Sequence, residues 1–388
     1  MTMSVAEPGK PLNSKERGRE VPLASVLQAD IPPGWKLTGI GRLIVLLVVF
    51  VIGITSPAFP AAATDQPKPI LVSLVSPSGK PASLNPTFDK QKVSLGITPT
   101  GWSNGDDPSI DLNPPIRYQQ ILSEMALAGF QGSQMSGKFP QEISELQSEL
   151  GLRNLTISEP WVGTKFTEGK EDETVKEFEK QMDFMKKIGG TKIVVAELGG
   201  AVHQDKSKNP LTDRPMFTED EWQKMTQGLN KLGSMAKANG MQLCYHPHVG
   251  TGVQSLEEID KLMAYTDPDK VKLLLDTGHL YYAEVDPLEV TKKYTDRIKH
   301  VHLKNIRESV LAKSKQNGLS FLGSIQAGVF TVPGDTGGAI DFAPILQELA
   351  QANYQGWLVV EAEQDPNKTN PLKNAVIART YLRELTGL

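Results

Sequence analysis

The feature that most constrains the fold is a repeat. From residue 92 onward, short apolar runs fit for buried strands alternate with segments whose apolar residues recur at helical spacing. The runs lie at 93–97, 130–135, 152–158 and 192–197, and around Leu243, Leu273, Val301 and Leu358. Between them stand stripes such as Val175, Phe178, Met182, Met185 and Ile188, or Trp222, Met225, Leu229, Leu232 and Met235. Val376, Tyr381 and Leu382 mark a closing helix. Such alternation calls for a parallel sheet covered by helices. Eight strand–helix pairs in roughly 290 residues are the usual content of a single (β/α)8 TIM barrel. An open doubly wound sheet is the competitor, but Gly101-Trp102 after the first run has no G-x-G-x-x-G, so a dinucleotide site finds no support.

The barrel, residues 92–388, is preceded by an extension of another kind. Residues 1–42 are polar, without helical or strand period, and read as a disordered leader. Residues 43–54 are apolar except for Gly53, follow Lys36 and Arg42, and lead into Ala61-Ala62-Ala63. Residues 43–63 thus resemble a signal peptide, and the apolar core is short for a spanning helix, which needs about 20 residues. Three readings stay open: export with cleavage after Ala63, a retained membrane anchor, and a cytoplasmic product if the start codon lies further in. Residues 64–91, rich in Pro, Ser and Lys, read as a linker.

Within the barrel, several runs end in residues that bind metals. His246 and His248 end one, Asp276 and His279 the next, His300 and His302 the third with Lys304 behind them, and Glu361 and Glu363 the last. Residues two apart on a strand face one side, so His300 and His302 point together. In a TIM barrel the C-terminal ends of all strands share one face, so these groups become neighbours. Each alone has a plain reading as a turn cap or an ion pair. As a set, five of the six histidines with acids on two of the same runs call for a charged partner. Nitrogen and oxygen donors without thiolate suit Mn2+, Co2+ or Fe2+. The single cysteine, Cys244, rules out an intrachain disulfide and reads as buried filler.

The segments GWSN, SEMALAGFQG, YHPHVGTGVQS, LLLDTGHLYYA, IKHVHLKNIR, AGVFTVPGD and WLVVEAEQDP resemble the inosose dehydratases, in the xylose-isomerase-like superfamily of sugar isomerases and epimerases. The resemblance covers residues 93–388. It implies a metal held at the ends of strands five to eight, where Asp276, His302 and Glu361 match ligand positions directly. His246 stands where related epimerases have Glu, so the fourth ligand is His246 or His248. Asn305 stands where Asp is usual.

The resemblance further implies a carbon–oxygen hydro-lyase that dehydrates 2-keto-myo-inositol with Mn2+ or Co2+, and allows glutathione as a helper. His248 or His279 would transfer the proton, with Lys304 and Glu363 near the leaving hydroxyl. Trp102 and Trp161 would stack on the ring, Glu197 would bind a hydroxyl or orient a histidine, and Gly334 and Asp335 would form a substrate-facing loop. A ketose epimerase on the same metal, a repair endonuclease of the same barrel type and a non-catalytic exported polyol-binding protein are the competitors.

A net charge of −4 gives no electrostatic case for nucleic acid. The expected partner is a small keto-polyol, with membrane contact only through an uncleaved N-terminal segment; a homo-oligomer is compatible with this composition. Sequencing the mature N-terminus checks the export reading. Processing yields a chain beginning at Thr64, and a chain that keeps its first residue contradicts cleavage.

Overall fold

The computed structural model describes residues 87–388. The leader, the signal-like segment and all but the end of the linker lie outside the described residues. Nine parallel strands form the main sheet: β1 (Val93–Ile97), β2 (Gly132–Ser133), β3 (Thr156–Ile157), β4 (Trp161–Thr164), β5 (Lys192–Glu197), β6 (Gln242–Tyr245), β7 (Val271–Asp276), β8 (Ile298–Leu303) and β11 (Gly356–Val360). β9 (Asn305–Ile306) and β10 (Phe330–Thr331) make a separate antiparallel pair.

The order in the main sheet is β3-β2-β1-β11-β8-β7-β6-β5-β4. Its two end strands are joined by Ser158, Glu159 and Pro160 alone, so the ring closes through the chain itself. The eight expected barrel positions are present, and the third is a strand broken in two. Ser158 N–H still donates to Ser133 O, Met135 N–H to Glu159 O and Val194 N–H to Pro160 O. The ladder thus changes partners from β2 to β5 across the break. Pro160 has no N–H to donate, which suits it to the point where pairing switches.

Eleven helices are described, in chain order: α1 (Tyr118–Ala128), α2 (Ile143–Gly151), α3 (Glu171–Ile188), α4 (Glu219–Ala238), α5 (Leu256–Tyr265), α6 (Thr277–Tyr282), α7 (Pro287–Tyr294), α8 (Glu308–Gln316), α9 (Phe321–Gln326), α10 (Phe342–Gln351) and α11 (Pro371–Thr386). α3 starts on Glu171, Asp172 and Glu173 and ends on Lys186 and Lys187, matching charge to its dipole. Thr218 with Glu221 and Ser255 with Glu258 build capping boxes for α4 and α5. On α11 the buried face is Ala375, Ala378 and Leu382; Val376, expected to pack, is exposed. α6, α8, α9 and the β9–β10 pair carry no clear period and were not anticipated. Among the described residues no helix is long and apolar enough to cross a membrane.

The strands separate two interiors. Ile193, Val195, Leu243, Tyr245, Leu273, Leu275, Val301, Leu303, Leu358 and Val360 belong to the main core that includes the helices. Val194, Cys244 and Leu274, with Trp161 against them, form a separate cluster on the opposite strand faces, inside the barrel. Burial pushes the Cys244 thiol up to about 11, in keeping with an inert filler.

Close packing of α4 on the sheet depends on Gly233, where an added Cβ would lie 2.4 Å from the Lys270 carbonyl oxygen. Backbone cannot swing aside as a side chain can. Gly233→Ala is therefore expected to lower stability by about 1–3 kcal/mol, read from the urea midpoint. An unchanged midpoint would show that the helix shifts freely.

Candidate active site

Strand parity decides which side chains enter the barrel. On β8, Val301 and Leu303 take the helix side, which leaves His300 and His302 facing inward. Lys304 follows with the same parity. β11 runs straight into Glu361 and Glu363, and β6 into His246. In the ladder Asp276 is opposite His302, and Val359, two before Glu361, is also opposite His302. These groups therefore arrive at similar heights in the barrel. No member of the set is more than 6% exposed.

Asp276 is the hub. Its Oδ1 accepts the N–H groups of Gly278 and His279, both at 2.9 Å, capping α6. That leaves Oδ2 facing the other groups. His246 Nε2 lies 3.5 Å from it, Lys304 Nζ 3.6 Å and His302 Nδ1 3.7 Å. Glu361 Oε2 is 2.8 Å from His302 Nδ1 and 3.2 Å from Lys304 Nζ. Ligand-type atoms of His246, Asp276 and His302 lie within 4.8 Å of one another, as do those of Asp276, His279 and Glu361.

Both ring nitrogens of His246 and Oδ2 of Asp276 are buried without a hydrogen-bond partner. Orphaned polar atoms of this kind are costly, and a shared cation would satisfy them together. The donor set is nitrogen and oxygen from four strand ends. It fits a divalent metal ion.

The electrostatics follow from burial and proximity. Burial alone would raise Asp276, but the Lys304 ammonium outweighs it and holds the carboxyl well below its usual range. Burial would lower Lys304, but Asp276, Glu361 and Glu363 keep it charged. Glu363 moves the other way: burial, with Glu361 nearby, pushes it up to about 8 although Lys304 Nζ donates to it at 2.8 Å. Burial drives His248 and His279 well below the usual histidine value, so both are neutral. Their rings lie 3.8 Å apart. His248 Nδ1 is 2.8 Å from the Val249 carbonyl, an acceptor, so that nitrogen carries the proton and Nε2 keeps a lone pair. His279 Nε2 accepts from Lys304 Nζ at 2.8 Å.

The choice between His246 and His248 now has a geometric basis: His246 reaches Asp276, whereas the His248 ring lies against His279, tilted 40° to it. Trp161 packs beside Val194 and Leu274 in the barrel interior. Two expectations are corrected. Trp102 is not a stacking platform; it is 1% exposed in the main core, with Nε1 donating to Glu124 at 2.6 Å. Glu197 does not enter the barrel. It shares parity with Ile193 and Val195, and its carboxylate accepts from Thr164 Oγ1, Phe166 N, Thr167 N, Thr167 Oγ1 and Gly199 N.

The Gly334-Asp335 loop is also committed elsewhere. Asp335 pairs with Arg307 at 2.6 Å and accepts from Thr331, and a Cβ on Gly334 would meet the Tyr381 ring. Asn305 Oδ1 accepts from Ile340 N, holding the same loop.

Sequence reasoning missed Glu159, which is fully buried, and counted His300 among the converging histidines without giving it a role. Glu159 Oε1 is 3.1 Å from His302 Nε2 and Oε2 is 3.2 Å from His300 Nε2. Burial would raise this carboxyl, but the two imidazoles outweigh it and hold it at about 2. His203, beside His248 at 5.0 Å between ring centroids, was also missed. A roof forms where Asp107 meets Lys206 at 2.9 Å and Gln326 at 3.0 Å, and Gln204 donates to Asp106 at 2.9 Å.

A profile of the xylose isomerase-like TIM barrels matches residues 120–385. The chain is 48% identical over 302 residues to an inosose dehydratase of Clostridium botulinum (strain Alaska E43 / Type E3), covering 78% of this chain and 100% of that one. It is 47% identical over 302 residues to an inosose dehydratase of Geobacillus thermodenitrificans (strain NG80-2), with the same shares covered. The crystal structure of IOLI protein with a bound zinc atom is similar at a TM-score of 0.56 and 16% identity, covering 76% of this chain and 98% of that one. At that identity the likeness speaks for the fold.

Glu197→Ala tests the anchoring role given to that carboxylate. It is expected to cost about 1–3 kcal/mol of stability, read by thermal or urea unfolding, with divalent-cation affinity unchanged. Loss of affinity at unchanged stability would return Glu197 to the site.

Proposed function

The chain belongs to the xylose isomerase-like TIM barrels and, within them, to the inosose dehydratases, and from that premise we propose that it removes water from 2-keto-myo-inositol at the barrel mouth. The observation that carries this reading is the convergence on Asp276 of His246, His302, Glu361 and the Lys304–Glu363 pair. His246, Asp276, His302 and Glu361 would hold a divalent ion, Mn2+ or Co2+. Asp276 and Glu361 face the Lys304 ammonium and Glu159 lies behind His302, so the site carries excess negative charge that a divalent ion would offset. Such an ion supplies Lewis acidity, which acidifies the C–H beside a ketone and stabilises the charge that develops on the oxygen.

The protein's own groups divide the proton transfers. His248, with its free Nε2 lone pair, takes the proton from the carbon next to the ketone. The carbon–carbon double bond then forms as the β-hydroxyl departs. Glu363, kept protonated by burial and held by Lys304, donates the proton that turns the hydroxyl into water. Lys304 orients Glu363 and carries a positive charge beside the leaving oxygen. The roof over the mouth excludes bulk water, which strengthens each of these contacts. Glutathione as a helper thiol enters this proposal only by family resemblance.

The test is loss of water from 2-keto-myo-inositol by the purified chain, with Mn2+ or Co2+ added and withdrawn. Turnover should require the ion, and His248→Asn should lower kcat by about 10²–10⁴-fold with KM little changed. Exchange of the proton with inversion at carbon, and no water lost, would favour an epimerase and contradict the reading.

A further inference from the structure

A neutral imidazole has one N–H and one lone pair, so a histidine that binds a cation through one nitrogen must dispose of a proton on the other. His302 faces different company on its two sides. Nδ1 looks toward Glu361 Oε2 at 2.8 Å and Asp276 Oδ2 at 3.7 Å, two oxygens that accept an N–H when no cation is present and would share a cation with the Nδ1 lone pair when one is bound. Nε2 looks toward Glu159 Oε1 at 3.1 Å. Glu159 comes from the break in the third barrel position, and β8 holds the seventh, directly across the ring. Its carboxylate therefore reaches across the barrel interior to touch His302 from behind. An ionised carboxylate at 0% exposure costs several kcal/mol unless it is well partnered, and its two partners here are His300 and His302.

Resting on the metal reading above, we infer that Glu159 is a positioning residue that accepts the Nε2–H of His302, so that the Nδ1 lone pair is aimed at the cation bounded by Asp276, His246 and Glu361. His300 Nε2 lies 3.2 Å from the other oxygen of Glu159, a charge contact without hydrogen-bond geometry. A second ion among Glu159, His300 and His302 is the competing use of the same atoms, since their ligand atoms also lie within 4.8 Å of one another. It would need His302 to give a lone pair from both nitrogens at once, which a neutral ring cannot do. The broken strand thereby gains a purpose: the switch of ladder partners at Glu159 and Pro160 turns one acidic side chain inward, where it sets the direction of a ligand on the far wall.

The experiment uses the full chain. Co2+ is titrated calorimetrically into wild type and Glu159→Gln, and the His302 tautomer is read by 15N NMR with Zn2+ bound. In wild type the expected result is one ion per chain and a proton on Nε2. In Glu159→Gln the affinity should fall about tenfold to a hundredfold, with the Nε2–H signal shifted or lost. If Glu159→Gln does not fold, Glu159→Asp keeps the charge one methylene back and should show a smaller loss in the same direction. Wild-type affinity with an unchanged His302 signal in the variant overturns the positioning role and leaves the metal reading standing. Two ions in wild type, one of them lost in the variant, overturn it in favour of a second site. A wild type that binds no Co2+ overturns the metal reading and this inference together.

Discussion

A buried carboxylate must be fully hydrogen-bonded or set beside positive charge, and the interior of this barrel holds Glu159, Asp276, Glu361 and Glu363 at 6% exposure or less. The organisation of the site follows from satisfying them. Lys304 is drawn fully inside because three of these acids surround it. Glu363 avoids the conflict by holding its proton near neutrality. Asp276 spends one oxygen capping α6 and offers the other to the cluster. The residual charge, together with the unpartnered nitrogens of His246, would suit a divalent ion. A chain that folded without these pairings would leave several ions desolvated and alone, which no amount of apolar packing around them would offset.

The arrangement rests on a small set of backbone devices. Parallel pairing brings the strand ends to one face, and parity places His300, His302 and Lys304 on one side of β8 while Val301 and Leu303 build the outer core. The ring closes at its third position through Ser158, Glu159 and Pro160 instead of through strand pairing. That closure is also where the farthest of the buried acids enters. Beyond the strand ends, Asp106 and Asp107 are tied to Gln204, Lys206 and Gln326, and Phe321 of α9 packs against His248 and His279.

Much of this was legible in the residues. Helical stripes such as the one from Val175 to Ile188 match α3, and the apolar runs ending in His246, Asp276, His302 and Glu361 each delivered their last residue to the same place. The failures have physical causes. Glu197 ends its strand as Asp276 does, but counting back two residues meets an apolar side chain in both, Val195 and Leu274. Sequence alone does not say that the first faces helices and the second faces the barrel. Trp102 follows a strand closely yet turns into the outer core, because Glu124 on α1 offers its indole N–H an acceptor. Glu159 stayed hidden because Pro160 breaks the alternation that would have marked it as inward. The β9–β10 pair and α9 were missed because short elements carry too few residues for a period to emerge.

The central claim is that His246, Asp276, His302 and Glu361 share one divalent ion. Crystals grown with Co2+ and measured for anomalous scattering at the cobalt edge test it most directly. The account predicts a single strong peak in bonding contact with these four side chains, with Lys304 displaced no further than its pairing with Glu363. A peak bound elsewhere, or a fully occupied Co2+ solution that leaves these four groups joined only by Lys304, would contradict it.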